Sequence, residues 1–331
     1  MNVRRSAVWL WEARGHGVPA GDHGRFEPSR REAAIRKLAL VVVTAAACHA
    51  APAEPPAAEQ LRVDHTADAI EFAIIGDFGK AGPAEADVAA MVHGWTPELI
   101  LTTGDNNYDD GAASTIDENI GQYYHDFIAP YRGQYGEGAR ENRFFPALGN
   151  HDWRTPDLRP YTDYFALPGN ERYYTVSWGP VDVFVVDSDS HEPDGNAVDS
   201  VQAKWLQGAL AAADGPWKLV LMHHPPYSSG DHGSSTGMRW PYAQWGATAV
   251  IAGHDHHYER IEPPDGGGVL YFVNGLGGNP ERYAVGNPVA GSAVRYNDDH
   301  GAMKVYADAQ GIRFEFITRK GEVVDSVTRK R

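Results

Sequence analysis

Cysteine is almost missing: Cys48 stands alone among 331 residues, so no intrachain disulfide can form and burial must hold the fold together. Basic residues are also scarce. There are 29 Lys and Arg against 44 Asp and Glu, a formal net charge of -15, and without residues 1–48 the balance is 21 against 40. A nucleic-acid scaffold binder needs the opposite sign. The same charge repels phosphate esters at long range, so a site for them needs cations held locally, which bound metal ions would supply. Long apolar runs are lacking too: the ten residues 38–47 are too few to span a bilayer. There is no internal repeat and no coiled-coil heptad. What is present, 42% hydrophobic and 11% aromatic residues over this length, is enough for one large core and too little for several independent domains.

The N-terminal part carries its own pattern. Arg30, Arg31, Arg36 and Lys37 precede the apolar run 38–47, which ends in small residues as an export signal does. Ala45-Ala46-Ala47 before Cys48 is similar to a lipobox, with Ala45 where Leu or Val is usual, and implies a lipid anchor at Cys48. Ordinary cleavage near Ala47 or Ala50 is the alternative. Both readings export the chain, as a periplasmic, secreted or lipid-anchored envelope protein. Residues 1–28 form a lead with no assigned role. Residues 49–68, rich in Ala and Pro, suit a tether, and a single catalytic domain is expected over 69–331.

From residue 69 onward apolar runs alternate with helix-like segments. Residues 70–75, 99–102, 144–148, 181–186, 219–222 and 248–252 read as buried strands, with helices at 83–93, 116–128 and 201–213. Later strands fall at 269–274, 303–307, 312–317 and 323–327. The pattern predicts an α/β domain of two stacked mixed β-sheets flanked by helices. Residues able to do chemistry follow the apolar runs: Gly76-Asp77-Phe78-Gly79, Gly104-Asp105-Asn106-Asn107-Tyr108, Gly149-Asn150-His151-Asp152, His223-His224 and Gly253-His254-Asp255-His256. Taken singly, an Asp between glycines is a turn residue and a lone His a structural one. As a set, five strand ends deliver oxygen and imidazole donors to one place. Two hard cations bridged by a carboxylate need such a mixed donor set, and a separation of about 3.5–4 Å suits in-line phosphoryl displacement. An extended backbone at 254–256 would send two imidazoles to different ions.

These ordered motifs resemble those of the calcineurin-like metallophosphoesterase superfamily. Most members have a His two residues after the first Asp, where this chain has Gly79; a Tyr stands three residues beyond the second Asp instead, at Tyr108. That paired exchange is similar to purple acid phosphatases, and the short stretch before the first strand resembles their small, tartrate-resistant-like type. The resemblance covers about residues 70–327, including Val-Asn-Gly-Leu-Gly-Gly at 273–278 and the segment 321–326. It implies Fe(III) held by Asp77, Tyr108 and His256, a bridging Asp105, and a divalent Fe, Zn or Mn held by Asn150, His223 and His254. A phenolate is a hard oxygen donor suited to Fe(III), which would lower the Tyr108 pKa below its usual value of about 10.

The implied activity is hydrolysis of small-molecule phosphate monoesters by in-line attack of a metal-bound hydroxide. The leaving alkoxide needs a proton, for which His151 and His232 are the candidates; His232 lies nine residues after His223, as the corresponding His does in the family. His224, Asp152 and Asp255 are expected to orient ligands. The Ser- and Gly-rich loop 227–237 is expected to be mobile and to shape access, and Trp153, Arg154 and Tyr242 are expected to line the pocket. Two other readings compete. One is a phosphodiesterase or nucleotidase on the same scaffold, or the Tyr- and Fe(III)-using group resembling alkaline phosphatase D, which normally lacks Gly-Asn-His-Asp. The other is a non-catalytic phosphate- or metal-binding surface protein.

Overall fold

The computed structural model describes residues 61–63 and 68–331. The segment read as an export signal, Cys48 and most of the segment read as a tether lie outside the described residues. Two mixed β-sheets pack face to face, as the alternation of apolar runs predicts. In chain order the strands are β1 (Leu61–Val63), β2 (Ala69–Ile75), β3 (Ile100–Thr102), β4 (Phe144–Pro146), β5 (Tyr174–Trp178), β6 (Val181–Val185) and β7 (Trp217–Leu221). They continue as β8 (Ala249–Ala252), β9 (Tyr258–Ile261), β10 (Leu270–Asn274), β11 (Ser292–Tyr296), β12 (Gly301–Asp308), β13 (Gly311–Thr318) and β14 (Val323–Lys330). The helices are α1 (Pro83–Gly94), α2 (Gln122–Tyr124), α3 (Arg159–Tyr164), α4 (Val201–Ala212) and α5 (Tyr242–Trp245).

One sheet has six strands in the order β14-β13-β12-β2-β3-β4, the other eight in the order β1-β5-β6-β7-β8-β10-β9-β11. Period-two alternation builds the layers. Phe72, Ile74 and Leu101 of the first sheet meet Val183, Leu219, Ile251 and Phe272 of the second in a central core. Their strand neighbours Ala73, Ile75 and Ile100 face outward onto Val88 and Val92 of α1. On the far side Phe184, Val220 and Val250 face Ala203, Leu206 and Leu210 of α4. Ser200 caps α4 by accepting a hydrogen bond from the Ala203 amide.

Several elements depart from the sequence reading. Residues 116–128 are not one helix but a π-turn at Asp117–Gly121, then α2, then a 3-10 turn at His125–Phe127. Leu61–Val63, inside the segment read as a tether, pairs in parallel with β5. β5, β9 and β11 were not foreseen. β9 and β11 carry Glu259, Arg260 and Arg295 in place of a continuous apolar run, and their pairing with β10 and with each other makes them strands. Among the described residues no helix is long and apolar enough to cross a membrane.

For function, the decisive feature is strand direction. β2, β3 and β4 run parallel, as do β6, β7 and β8, so their carboxyl ends open on one side of the molecule. Open α/β sheets bind their ligands outside such ends.

Candidate metal centre

Each candidate ligand leaves a strand's carboxyl end within a few residues. The six-stranded sheet delivers the oxygen donors: Asp77 after β2, Asp105 and Tyr108 after β3, and Asn150 after β4. The eight-stranded sheet delivers the nitrogens: His223 after β7, His254 and His256 after β8. Asp77, Asp105 and His254 all have positive φ, at 53°, 52° and 72°. That backbone costs an L-residue about 1–3 kcal/mol, and such outliers gather at functional sites. Gly149 and Gly253 allow the close approach: a Cβ on either would stand within 2.3 Å of a carboxylate oxygen, of Asp105 and Asp77 respectively.

The side chains converge as expected. The Tyr108 hydroxyl lies 3.0 Å from Asp105 Oδ2, 3.3 Å from Asp77 Oδ1 and 3.2 Å from His256 Nε2. His223 Nε2 lies 3.0 Å from Asn150 Oδ1, 3.3 Å from Asp105 Oδ2 and 3.2 Å from His254 Nδ1. All seven predicted ligands therefore meet, with Asp105 between the two groups. One expectation fails in detail: 254–256 is not extended. The left-handed turn at His254 separates the two rings instead, while its amide donates to both Asp77 oxygens at 3.0 Å.

Hydrogen bonds fix the tautomers. His223 Nδ1 faces the Thr103 carbonyl at 2.9 Å and His256 Nδ1 the Glu281 carbonyl at 2.8 Å. A carbonyl only accepts, so Nδ1 carries the proton in each ring and a lone pair on Nε2 faces the cluster, the arrangement of a metal-ligating imidazole. In the protein alone, a further proton on His223 Nε2 would satisfy the Asn150 and Asp105 oxygens beside it. Burial would lower the His223 pKa, but the charge and hydrogen bond of Asp105 push it up to about 10. Burial would likewise raise Asp105, and His223 and His151 hold it below the usual carboxylate range. The Tyr108 phenol is pushed well above its ordinary value, first by burial and then by Asp105 and Asp77. A phenolate in that position requires a cation. His254 stays neutral, its pKa depressed by burial and by His223, His224 and His232. Donor types, lone-pair directions and burial thus fit metal ions, and Asp77, Asp105 and His223 alone form a group able to hold one.

Five of the seven, Asp105, Tyr108, Asn150, His254 and His256, line an open cavity of about 320 Å³, with Lys80, Asp109, His151, Arg154, His232, Asn279, Glu281 and Tyr283 as its other walls. Both proton-donor candidates are there. His151 Nδ1 faces the Asp109 carbonyl at 2.5 Å, leaving Nε2 3.9 Å from Asp105 Oδ2. The His232 ring stacks on His254 at 4.4 Å. Arg154 lines the cavity as expected, but Trp153 and Tyr242 do not. Trp153 donates to Asp187, and Tyr242 is fully buried in the layer beneath α4. Asp152 does orient a ligand loop, accepting from the Asn106 and Gly149 amides; burial and the charge of Asp105 raise its pKa to about 7. His224 is held by Ser188 and sits beside His254, close enough to form a possible ligand group with His223 and His254. Sequence reasoning missed Lys80, Asn279, Glu281 and Tyr283. Glu281 holds His256 by a backbone carbonyl, which leaves no side-chain signature to read.

A buried Asp, Tyr and His cluster at the carboxyl ends of two packed mixed sheets defines a metal-dependent phosphoesterase scaffold. The chain belongs to the calcineurin-like phosphoesterase family, whose model matches residues 70–258. Its relatives include purple acid phosphatase 3 of Arabidopsis thaliana, 26% identical in an alignment of 298 positions that covers 80% of this chain and 78% of that one. Tartrate-resistant acid phosphatase type 5 of Mus musculus is 25% identical in an alignment of 248 positions that covers 63% of this chain and 72% of that one. Among solved structures, purple acid phosphatase from yellow lupin (Lupinus luteus) seeds superposes with a TM-score of 0.66 at 19% identity. That match covers 80% of this chain but only 54% of the lupin chain, and it bears on the fold alone.

Proposed function

We propose that the protein is an exported acid phosphatase that hydrolyses small-molecule phosphate monoesters with two metal ions. In this reading Asp77, Tyr108 and His256 hold Fe(III), Asn150, His223 and His254 hold a divalent Fe, Zn or Mn, and Asp105 bridges them. The observation that carries it is the convergence of seven donors on one buried point, with the Tyr108 hydroxyl among two carboxylates and an imidazole. When bound, such ions supply an activated water nucleophile and neutralise charge on the phosphoryl oxygens.

The chain's own residues do the rest. A phosphoryl group in the cavity would lie against the cluster, with His151 on the Tyr108 side and His232 on the His254 side. Either His, protonated, can give Nε2–H to the departing alkoxide; His151 reaches inward because its Nδ1 is anchored to a carbonyl. Lys80 and Arg154 at the rim are the cations that meet an incoming anion in an otherwise acidic protein, and they are kept in place by Asp109 and Asp110.

The test is a visible spectrum of the purified domain with metal analysis, beside rates on matched phosphate mono- and diesters. A tyrosinate-to-iron band with monoester preference supports the proposal. A colourless zinc or manganese protein preferring diesters moves it to the rival activity on this scaffold, and no turnover of either ester favours the binding-protein reading. Export through the 1–48 leader is tested by cell fractionation, and the lipid anchor by loss of membrane association in Cys48→Ala.

A further inference from the structure

His232 is exposed, and its ring makes no hydrogen bond among the described residues; its ring contacts there are with His254, at 4.4 Å, and Tyr283, at 5.1 Å. Its position must therefore be set by its backbone. That backbone belongs to Ser228-Ser229-Gly230-Asp231-His232-Gly233-Ser234, a composition that left alone would sample many conformations. The expected mobility is not what the contacts describe. The Asp255 carboxylate, fully buried between the two ligands His254 and His256, gathers the loop. Ser228 Oγ donates to Oδ2 at 2.5 Å, the His232 amide to Oδ1 at 2.9 Å and the Gly233 amide to Oδ2 at 3.2 Å. Gly230 passes so close that a Cβ there would stand 2.4 Å from the carboxyl carbon of Asp255. Glu259, also fully buried, holds the next residue by accepting from the Ser229 amide at 2.8 Å and hydroxyl at 2.6 Å. Among the described residues every hydrogen bond to the Asp255 carboxylate comes from this loop and none from an imidazole, which replaces the expectation that Asp255 orients ligand rings.

We propose that Asp255 is a positioning residue for His232: one turn carries two metal ligands outward and, between them, a carboxylate that holds the proton donor over His254. This rests on the role of His232 proposed above. The coupling has a physical purpose. A proton donor helps only within hydrogen-bond reach of the leaving oxygen, and errors of about 1 Å cost up to about 100-fold in rate. Mounting donor and ligands on the same turn makes their separation independent of movements elsewhere in the chain.

Asp255→Asn tests this, because one carboxamide oxygen cannot accept what two carboxylate oxygens accept, and the NH2 group opposes an amide donor. Amide hydrogen exchange across 228–234 should accelerate in the variant while metal content stays unchanged. Turnover of an alkyl phosphate, whose leaving group needs a proton, should fall about 10- to 100-fold, and that of 4-nitrophenyl phosphate by less than about threefold. In a His232→Ala background the substitution should add nothing further, as residues acting through one another are non-additive. Unchanged exchange overturns the proposal. So does an equal loss on both esters with loss of metal, which would place Asp255 in service of the ligands. If Asp255→Asn does not fold, Ser228→Ala removes one of the three bonds and should give the same leaving-group dependence at smaller size. Should the wild type hydrolyse neither ester, the phosphatase reading fails, while the exchange result still decides whether Asp255 holds the loop.

Discussion

Asp77, Tyr108 and His256 are buried, at 0%, 4% and 3% exposure, although the last two also line the cavity, whereas on the other side of Asp105 only His223 is buried and both Asn150 and His254 are partly open. The buried group offers a carboxylate and a phenol with one imidazole. The open group offers an amide oxygen and two imidazoles, all neutral as ligands. Hard anionic oxygens out of water suit a trivalent ion that stays, and neutral donors beside the cavity suit a divalent ion that exchanges and meets substrate. On the proposed assignment the two positions would divide labour, retention on one side and access on the other, with Asp105 belonging to both.

The largest expected effect erases the difference. Asp105→Ala removes the shared carboxylate, and metal analysis should find neither ion, with activity at background; retention of either ion with turnover would refute the bridging role. Next, His232→Ala touches the open side alone. It should retain both ions and slow alkyl phosphate turnover about 100-fold or more, within the usual range for a general acid. Tyr108→Phe touches the buried side alone: the visible band should vanish while the divalent ion remains and turnover drops about tenfold or less.

A smaller effect appears in the metal-free chain. The His223 pKa is raised in the folded protein, so its contribution to stability is full below the unfolded value of about 6.5 and is lost as pH climbs through about 10. Thermal melts of the metal-free protein should fall across that window. The metal-loaded protein should not follow, since an ion would stand where the proton did. The smallest effect is at the rim: Lys80 pairs with Asp109 at 2.6 Å, but both are well exposed. Lys80→Ala should change stability by less than about 1 kcal/mol, while raising KM for phosphate esters a few-fold in a salt-dependent way.

Much of this was legible in the sequence because the chemistry repeats one device, a buried strand ending in a polar donor, with a glycine before the donor in every case but β7. β2, β3, β4, β7 and β8 announce themselves by apolar runs, and Asp77, Asp105, Asn150, His223 and His254 follow them. What stayed hidden depends on distance through space. β9 and β11 are strands only because β10 and each other offer them partners. The wall formed by Asn279, Glu281 and Tyr283 lies far along the chain from the ligands it touches. The left-handed backbone at Asp77, Asp105 and His254 has only a weak residue-type signature, since Asp and His adopt such angles more often than most residues but far less readily than glycine. Asp255 was misread because its neighbours in sequence are ligands while its partners in space are Ser228, His232 and Gly233.

The oxygen donors all come from residues 77–150 on one sheet and the imidazoles from 223–256 on the other, and the Asp77 carboxylate meets the His254 amide across 177 positions. A ribosome therefore releases the first set long before the second exists. Until β7 and β8 dock, the nascent chain offers a metal only scattered oxygens, a weak and unselective trap for any cation. On the proposed assignment, capture of the full metal complement would signal that the two halves have closed on each other, so metal uptake should report the last step of assembly.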